Sequence, residues 1–342
     1  MKHNWEYKNW DEVLTIINGK NQKAVENPKG LYPIYGSGGI MSYANDYLCP
    51  ENAVIIGRKG SINNPIYVET KFWNVDTAFG IVANGSMLQS KFLYYFCVFY
   101  DFMKHNKATT LPSLVKSDLL KIQMPVPPMV VQEKIVAELD EINGLIETKR
   151  EQLKQFDLLA QSIFYTMFDA PVTNSKGWET HKFSDTFKLK SGSGLSAKDI
   201  ESGSYPVYGG NGVVGYHKQY NITGENIIIG RVGALCGNVR CVKGNAYITD
   251  NAFILTHQKG LNNIFTLYLL NILNLRQYAK AVAQPVISNV ALKDLTVIFP
   301  PLAIQQQFAA KVEAIESRKA DIESTIKELQ TLLDSRMDYW FN

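Results

Sequence analysis

The sequence has little cysteine, no long apolar run and no strong excess of charge. It contains four cysteines among 342 residues, and none of them forms a CxxC pair. Four cysteines are too few for a disulfide scaffold, so we expect free thiols. No apolar stretch approaches the roughly 18 residues of a membrane span, and the first residues lack the apolar segment of a signal peptide. These absences favour a cytoplasmic protein with no membrane association.

The motifs of several catalytic chemistries are missing too. There is no GxxxxGK[ST] phosphate-binding loop and no Asn/Asp-Pro-Pro-aromatic motif of an amino-methyltransferase. Residues 210–215 fit GxGxxG, but they lack the strand-to-helix setting of a dinucleotide site. The five histidines show no metal-ligand spacing. The sequence therefore predicts a protein without nucleophilic, acid–base or metal catalysis.

A duplication runs through the whole chain. The segments YPIYGSGGIMSY (32–43) and YPVYGGNGVVGY (205–216) lie 173 residues apart, and so do VIIGRKG (54–60) and IIIGRVG (227–233). The double prolines at 127–128 and 300–301 share this offset. A period of this length is far above that of a solenoid. It predicts two similar lobes about an approximate two-fold axis, although a duplication without functional symmetry is the alternative.

Each copy divides into a strand-rich lobe and a long helix. Compact apolar runs that end at glycine and clusters of glycine predict buried strands and tight turns in an α+β lobe. We place lobe 1 at 1–128, a helix at 129–170, lobe 2 at 171–301 and a second helix at 302–342. The net charges of these four segments are +3, −4, +6 and −2, so the lobes are basic and the helices acidic.

The two helices carry an apolar seam whose steps alternate between four and three residues. A seam of this length predicts coiled-coil packing, and the simplest partner for each helix is the other one in antiparallel orientation. Lys149, Lys319 and Arg336 interrupt the seam; their stems either extend to solvent or fix the register. The predicted seam residues are Ile135, Leu139, Ile142, Ile146, Leu153, Phe156, Ile163, Phe308, Val312, Ile315, Ile322, Ile326, Leu329 and Leu333.

Taken together, the duplicated lobe, the YPIYGSGG-type turn, the IIGR-G strand end, the PP-x-x-x-Q helix start and the FYTMF segment at 164–168 give a family resemblance. The chain resembles the specificity subunit of a type I restriction-modification system over essentially its whole length. The resemblance implies that each lobe is a target-recognition domain for one half of a split DNA site, and that the paired helices set the gap between the halves. The chain is shorter than many members of that family, so a solitary methylation-specificity protein or a subunit of a related defence system stays open.

The resemblance also implies the partners. A specificity subunit has no catalytic activity; it binds double-stranded DNA, docks two methyltransferase subunits, and is joined by restriction subunits with helicase and nuclease activity. We therefore expect no cofactor on this chain, and S-adenosylmethionine, ATP and Mg²⁺ on its partners. The first rival is a stand-alone DNA methyltransferase or nuclease. The second is a protein-interaction scaffold built on the coiled coil.

Candidate DNA-binding residues lie on polar loops, where Lys and Arg neutralise phosphates and polar side chains read base edges. Arg58 and Arg231 follow the central strand in both copies, and we assign them to phosphate or to shared positioning. The residues that follow them differ between the copies, and we assign these to base contacts: Lys59, Ser61, Asn63, Asn238 and Arg240. The alternative is an ordinary solvated hairpin with one structural arginine.

Two further loops complete the predicted interface. Ser37 and Asn211 occupy glycine-rich turns whose backbone N–H groups could hold phosphate, and His217 follows the second turn; hairpin turns with buried tyrosines are the alternative. The polar loops before the last strand of each lobe contribute Lys107, Thr109 and Gln284.

Overall fold

The computed structural model describes residues 4–108, 110–196, 198, 200, 203–257, 261–280 and 284–342. The chain separates into two compact units. Unit 1 consists of Met1–Glu151 and Glu323–Asn342, and unit 2 of Gln152–Ile322. Each unit therefore combines a strand-rich lobe with segments of both long helices.

Lobe 1 begins and ends with strands that pair with each other. Its elements are β1 (Glu6–Asn9), α1 (Trp10–Val13), β2 (Leu14–Asn18), β3 (Tyr32–Gly36), β4 (Gly39–Ala44), β5 (Ala53–Gly57), β6 (Ile66–Val68), β7 (Trp73–Asn74), β8 (Ala78–Ala83), α2 (Ser90–Phe99), α3 (Lys116–Leu119) and β9 (Gln123–Val126), with a 3₁₀ turn at Phe102–His105. The long helix α4 (Met129–Phe168) follows.

Lobe 2 repeats the same order of elements. They are β10 (Thr180–Lys182), α5 (Phe183–Thr186), β11 (Phe187–Ser191), β12 (Tyr205–Gly209), β13 (Gly212–His217), β14 (Glu225–Gly230), β15 (Val239–Lys243), β16 (Tyr247–Ile248), β17 (Ala252–His257), α6 (Asn263–Ile272), α7 (Asn289–Leu292) and β18 (Thr296–Ile298), with a 3₁₀ turn at Leu275–Tyr278. The long helix α8 (Leu302–Phe341) follows.

The two lobes have the same sheet topology. The main sheet has the order β2-β8-β5-β6 in lobe 1 and β11-β17-β14-β15 in lobe 2, and its strands are antiparallel. A second sheet, β4-β3-β7 or β13-β12-β16, contains one antiparallel hairpin and one short parallel pair. The prediction of two repeated α+β lobes, each followed by a long helix, is confirmed.

The central strand of each lobe is buried on both faces. In β5, Val54 and Ile56 face the core that contains α2, while Ala53 and Ile55 face a second cluster around Phe72. Such continuous burial explains why the strand is an unbroken apolar run rather than an alternating one. The loop that follows β5 therefore starts from a rigid position.

A buried glutamine ties each lobe to the start of its helix. Gln132 is fully buried, and its side-chain amide donates to the carbonyls of Met87 and Pro127 (2.9 Å each) and accepts from the N–H of Gln89 (2.8 Å). In unit 2, Gln305 donates to the Pro300 carbonyl (2.7 Å) and accepts from Asn262 (3.0 Å). These bonds are the physical reason for the PP-x-x-x-Q pattern, because the amide satisfies backbone groups that burial would otherwise leave unpaired.

The predicted seam residues lie inside the two units. In unit 1, Arg336 near the end of α8 pairs with Glu138 near the start of α4, as antiparallel helices require. In unit 2, Phe308 contacts Phe168 while Lys319 donates to Asp157 (2.7 Å), so the two segments there also run antiparallel. The buried seam residues are Ile135, Leu139, Ile142, Ile146, Phe308, Val312, Ile315 and Leu333, and the half-buried ones are Leu153, Phe156, Ile163, Ile322, Ile326 and Leu329.

Two of the charged residues that interrupt the seam make ion pairs between the helices. Arg336 binds both carboxylate oxygens of Glu138, and Trp340 donates to the same carboxylate (3.0 Å). The hydrogen bond from Arg336 to Glu138 raises the pKa of the guanidinium. Burial lowers the pKa of Lys319, but its bonds to Asp157 and Glu316 outweigh this effect and the net pKa is raised. Both contacts favour the interpretation that these residues fix the helix register.

Candidate nucleic-acid interface

The Gly-Arg loop after β5 is held by main-chain hydrogen bonds to two other loops. The N–H groups of Arg58 and Lys59 donate to the Thr77 carbonyl (2.8 and 3.2 Å), and Gly60 donates to the carbonyl of Pro112 (3.0 Å). Gly60 has a φ of 82°, a left-handed conformation that favours glycine. The loop after β5 and the polar loop around Pro112 therefore lie side by side.

Lobe 2 repeats this arrangement with different side chains. Arg231 N–H donates to the Asn251 carbonyl (2.8 Å), Gly233 donates to Pro285 (3.0 Å), and Ile287 donates back to the carbonyl of Arg231 (2.9 Å). Gly233 is left-handed as well, with a φ of 89°. The main-chain framework is thus shared by the two lobes, as expected for a common scaffold with different readers.

The hairpin turns belong to the same surface. A Cβ on Gly60 would lie 3.7 Å from the Ser37 hydroxyl, and a Cβ on Gly233 would lie 3.7 Å from the side-chain nitrogen of Asn211. In each lobe the hairpin turn, the Gly-Arg loop and the polar loop therefore meet. We call this the three-loop cluster; its described residues are 36–39, 57–63, 106–108 and 110–113 in lobe 1, and 209–212, 230–240 and 284–288 in lobe 2.

Arg58 and Arg231 occupy equivalent positions over an aromatic ring. The Arg58 guanidinium lies 5.8 Å from the centre of the Phe79 ring, and that of Arg231 lies 5.2 Å from Phe253. Arg58 also donates to a main-chain carbonyl (3.4 Å), whereas Arg231 donates to the Ser191 hydroxyl (3.3 Å). The cation–π contact fixes the stem and keeps the charge at the half-buried edge of the cluster.

The predicted reader Asn63 is bonded inside lobe 1. Its side-chain amide donates to Asp101 (2.7 Å), and its oxygen accepts from the N–H of Phe102 (2.8 Å). The bond from Asn63, together with one from the Met103 N–H, lowers the pKa of Asp101. In this structure Asn63 thus positions the 3₁₀ turn, and sequence reasoning could not foresee a partner 38 residues away.

Two lysines line a shallow pocket in the cluster of lobe 1. The pocket measures about 440 Å³ and lies between Lys59 and Lys107, together with Ala108, Thr110, Leu111 and Ser113. Lys59 is exposed, while Lys107 forms an ion pair with Asp118 and lowers the pKa of that carboxyl. Two ammonium groups at one pocket suit an anionic ligand such as phosphate. The predicted residue Thr109 lies outside the described residues.

Arg240 contacts the hairpin turn of lobe 2. Its guanidinium donates to the Asn211 carbonyl (3.1 Å), and a Cβ on Gly212 would lie 2.7 Å from its Nη1 atom. Gly212 also has a φ of 119°, a backbone conformation that favours glycine. At the equivalent register position lobe 1 has Ile66, which pairs with Ile55 as Arg240 pairs with Ile228. Arg240 therefore supports the turn in one lobe only.

The remaining predicted residues lie in or beside the clusters. Ser61 and Gln284 are exposed, and Asn238 is half-buried with its carbonyl accepting from the Gly230 N–H (2.9 Å). His217 ends β13 with its ring 5.4 Å from that of Tyr247. The structure thus brings Ser37, Arg58, Lys59, Ser61 and Lys107 together in lobe 1. In lobe 2 it brings together Asn211, Arg231, Asn238, Arg240 and Gln284, while His217 lies at the far end of the hairpin.

Sequence reasoning missed an apolar feature beside these loops. Ile40 and Met41 on β4, and Val213 and Val214 on β13, are exposed although they are apolar. Their occurrence at the repeat offset of 173 was the available signal, because an apolar pair kept at a turn in both copies is unusual for a solvated hairpin.

The described residues contain no group of three or more His, Cys, Asp or Glu side chains that could hold a metal ion. The four cysteines are free thiols; Cys49, Cys97 and Cys236 are buried, and Cys241 is half-buried. Within the part of the chain that the structure describes, no helix has both the length and the apolar character needed to cross a bilayer.

Known proteins with similar sequences and structures are specificity subunits. The EcoprrI specificity subunit of Escherichia coli is 28% identical over 298 residues, which are 79% of this chain and 72% of that protein. A putative type I specificity subunit of Mycoplasma pneumoniae is 25% identical over 252 residues, 70% of this chain and 92% of that protein. A type I restriction-modification S subunit from M. genitalium has the same fold, with a TM-score of 0.60, 17% identity and coverage of 99% of this chain and 96% of that one.

A family model assigns both halves of the chain. The type I restriction modification DNA specificity domain matches residues 2–155 and again residues 175–330. The duplication and the family resemblance found in the sequence are therefore both confirmed. The chain belongs to the family of type I restriction-modification DNA specificity subunits.

Proposed function

We propose that the chain is the DNA sequence-recognition subunit of a type I restriction-modification complex. Lobe 1 binds one half of a bipartite target and lobe 2 binds the other. The observation that carries this proposal is the repeated three-loop cluster: its main-chain framework is the same in both lobes, while the exposed side chains on it differ. A shared framework with different side chains is what two different half-sites require.

Within each cluster we assign separate tasks to the basic and the polar residues. Arg58 and Arg231 bind phosphate or position the loop, because both lobes hold them in the same way. Lys59, Ser61 and Asn238 are the proposed base contacts. Asn63 and Arg240 act mainly by positioning other loops of their lobes, because their side chains are hydrogen-bonded within the lobe: Asn63 to Asp101 and Arg240 to the carbonyl of Asn211.

The helices supply the second part of the proposed function. Specificity subunits of type I systems act together with methyltransferase and restriction subunits and DNA. We infer that α4 and α8 set the spacing between the half-sites and that this chain positions two methyltransferase subunits and the restriction subunits, in the cytoplasm. The segments 1–128, 129–170, 171–301 and 302–342 are the proposed divisions between lobes and spacers.

In the proposed function the chain itself carries no catalytic group. S-adenosylmethionine, ATP and Mg²⁺ are assigned to the partner subunits, which methylate the target or cleave DNA that lacks the methyl groups. Access to an adenine in each half-site requires flipping of the base, at a cost of a few kcal/mol.

The test is a methylome measurement on cells with and without this chain. A split motif that is methylated only in its presence is the expected result. Arg58→Ala and Arg231→Ala in the assembled methyltransferase complex should weaken binding to all sequences and reduce the salt slope by about one. Methylation by the purified chain alone would favour the enzyme rival, and unchanged methylomes would favour the scaffold.

A further inference from the structure

The hairpins of both lobes carry a β-bulge at the same position. In lobe 1 Ile34 pairs with Ser42 while Tyr35 pairs with Ile40, so Met41 has no partner on β3. In lobe 2 Val207 pairs with Gly215 while Tyr208 pairs with Val213, which leaves Val214 as the extra residue. A bulge redirects side chains, and bulges are frequent beside functional sites.

The bulge presents two adjacent apolar side chains to solvent. Ile40 and Met41 are 55% and 61% exposed, and Val213 and Val214 are 50% and 52% exposed. We call these the bulge pairs of lobes 1 and 2. Both lie on the edge strand of their sheet, where proteins usually place charged residues or proline to avoid association. An apolar edge kept in both copies is therefore a surface that something covers.

A glycine makes room for the bulge residue in each lobe. A Cβ on Gly36 would lie 2.7 Å from the Met41 sulfur, and a Cβ on Gly209 would lie 3.1 Å from the Cγ1 atom of Val214. The bulge side chain therefore bends back over the end of the first strand of its hairpin. This places it on the side of the hairpin near the turn.

The bulge pairs adjoin the three-loop clusters. Ser37, in the same turn as the lobe 1 pair, lies beside Gly60 of the Gly-Arg loop. In lobe 2 the guanidinium of Arg240 donates to the carbonyl of Asn211 in the hairpin turn. The apolar surface is therefore continuous with positive charge, which a polyanion such as DNA attracts.

The choice between DNA and a protein follows from comparing the copies. Two identical partner subunits would need the same surface on both lobes, whereas two half-sites need different ones. The hairpin framework is nearly identical in the two lobes, including Tyr43 and Tyr216, but the bulge pairs differ: Ile40-Met41 in one and Val213-Val214 in the other. The difference favours DNA.

We propose that the bulge pair of each lobe enters the major groove of duplex DNA and contacts thymine methyl groups of its half-site. The major groove admits a two-stranded ribbon, and apolar side chains contact the C5-methyl group of thymine there. This proposal rests on the proposed function, and it adds a recognition element made of apolar rather than polar residues.

Uracil substitution tests this contact, because uracil is thymine without its methyl group. Fluorescence anisotropy measures the affinity of the complete methyltransferase complex for a duplex that carries the motif found by the methylome measurement. In a series of duplexes, each thymine of one half-site is replaced in turn by uracil. We expect one replacement to weaken wild-type binding about fourfold, the effect of one methyl-sized apolar contact. The double variant Ile40→Ser/Met41→Ser should bind about fourfold more weakly on thymine and show no further loss on uracil.

Matched variants locate the effect. The double variant Val213→Ser/Val214→Ser should lose the response to uracil substitution in the other half-site. Val98→Ser on α2 changes an exposed apolar residue of lobe 1 outside the hairpin, and it should behave as wild type.

Three results would overturn the proposal. One is that, at every thymine, replacement by uracil weakens the binding of the wild-type complex and of both hairpin variants by the same factor. Another is loss of the methyltransferase from the hairpin variants in size-exclusion chromatography, because the pair would then be a protein-docking surface. If the wild-type complex itself showed no sequence preference, the proposed function would fail as well, so the two failures are distinguishable.

Discussion

Replacement of Gln132 by leucine should destabilise unit 1 far more than replacement of an exposed glutamine. Gln132 is fully buried and makes three hydrogen bonds of 2.8–2.9 Å to the backbone groups of Gln89, Met87 and Pro127. Leucine has a similar size, so the packing is kept, but these three groups lose their partner. Each unsatisfied buried group costs about 1–3 kcal/mol, and burial of the leucine returns about 1.5–3 kcal/mol.

The expected loss in the free energy of unfolding is therefore about 3 kcal/mol. With a urea m-value of about 2 kcal/mol/M, the midpoint should fall by about 1.5 M. Tryptophan fluorescence suits this measurement, because Trp5, Trp10, Trp73 and Trp340 lie in unit 1 and only Trp178 lies in unit 2. Far-UV circular dichroism reports on both units.

Two comparisons sharpen the test. Gln123→Leu changes an exposed residue of the same unit, and it should alter stability by no more than about 0.5 kcal/mol. Gln305→Leu removes two hydrogen bonds in unit 2, so its effect should be smaller than that of Gln132→Leu and should appear in unit 2. If the midpoints of Gln132→Leu and Gln123→Leu coincide, the hydrogen bonds do not stabilise the junction and the reasoning is refuted.

Other contacts give predictions of smaller scope. Asn63→Ala should leave the methylated motif unchanged but lower the free energy of unfolding by about 1 kcal/mol. The bond from Asn63 depresses the pKa of Asp101, so the share of stability from this bond is present above the ordinary carboxyl pKa of about 4 and is lost as the pH falls below it. The share from the bond that Asn63 accepts from Phe102 should not change with pH. Arg336→Met should lower the free energy of unfolding in urea by about 1 kcal/mol, after allowance for the one-third exposure of its side chain. A double-mutant cycle with Glu138→Gln should assign most of this loss to the interaction between the two side chains. Burial raises the pKa of the Cys97 thiol, so Ellman's reagent should react with it only after unfolding; reaction in the native protein would contradict its burial.

The repeat and the helices could be predicted because their signals are local. A 173-residue offset and a seam with steps of four and three residues are visible without any knowledge of packing. Near the lobes, however, the seam is not the most deeply buried stripe. Phe164 and Phe168 are fully buried, and Met337 and Phe341 nearly so, whereas the seam residue Ile163 is only half-buried. There the helix packs against the lobe as well as the other helix, and periodicity cannot show which contact dominates.

The candidate site could be predicted only in part from the sequence, because contacts between residues far apart in the chain leave no local pattern. Charge and residue type identify Arg58 and Lys59, but they cannot reveal that Asn63 is bonded to Asp101 or that Arg240 supports a turn 29 residues away. Exposure of Met41 depends on a bulge, which is a property of strand register rather than of composition. Long-range pairing thus decides which polar residues remain available for DNA.

The division of the long helices between the units has a consequence for the order of synthesis. Unit 2 is the continuous segment Gln152–Ile322, whereas unit 1 needs Glu323–Asn342 to complete it. On the ribosome lobe 1 therefore emerges before lobe 2 but receives further core residues, including Leu333, Met337 and Phe341, only after the whole of unit 2 has been synthesised. Until then Ile135 and Leu139 lack part of their packing, and exposed apolar surface of this kind recruits chaperones and promotes misassembly.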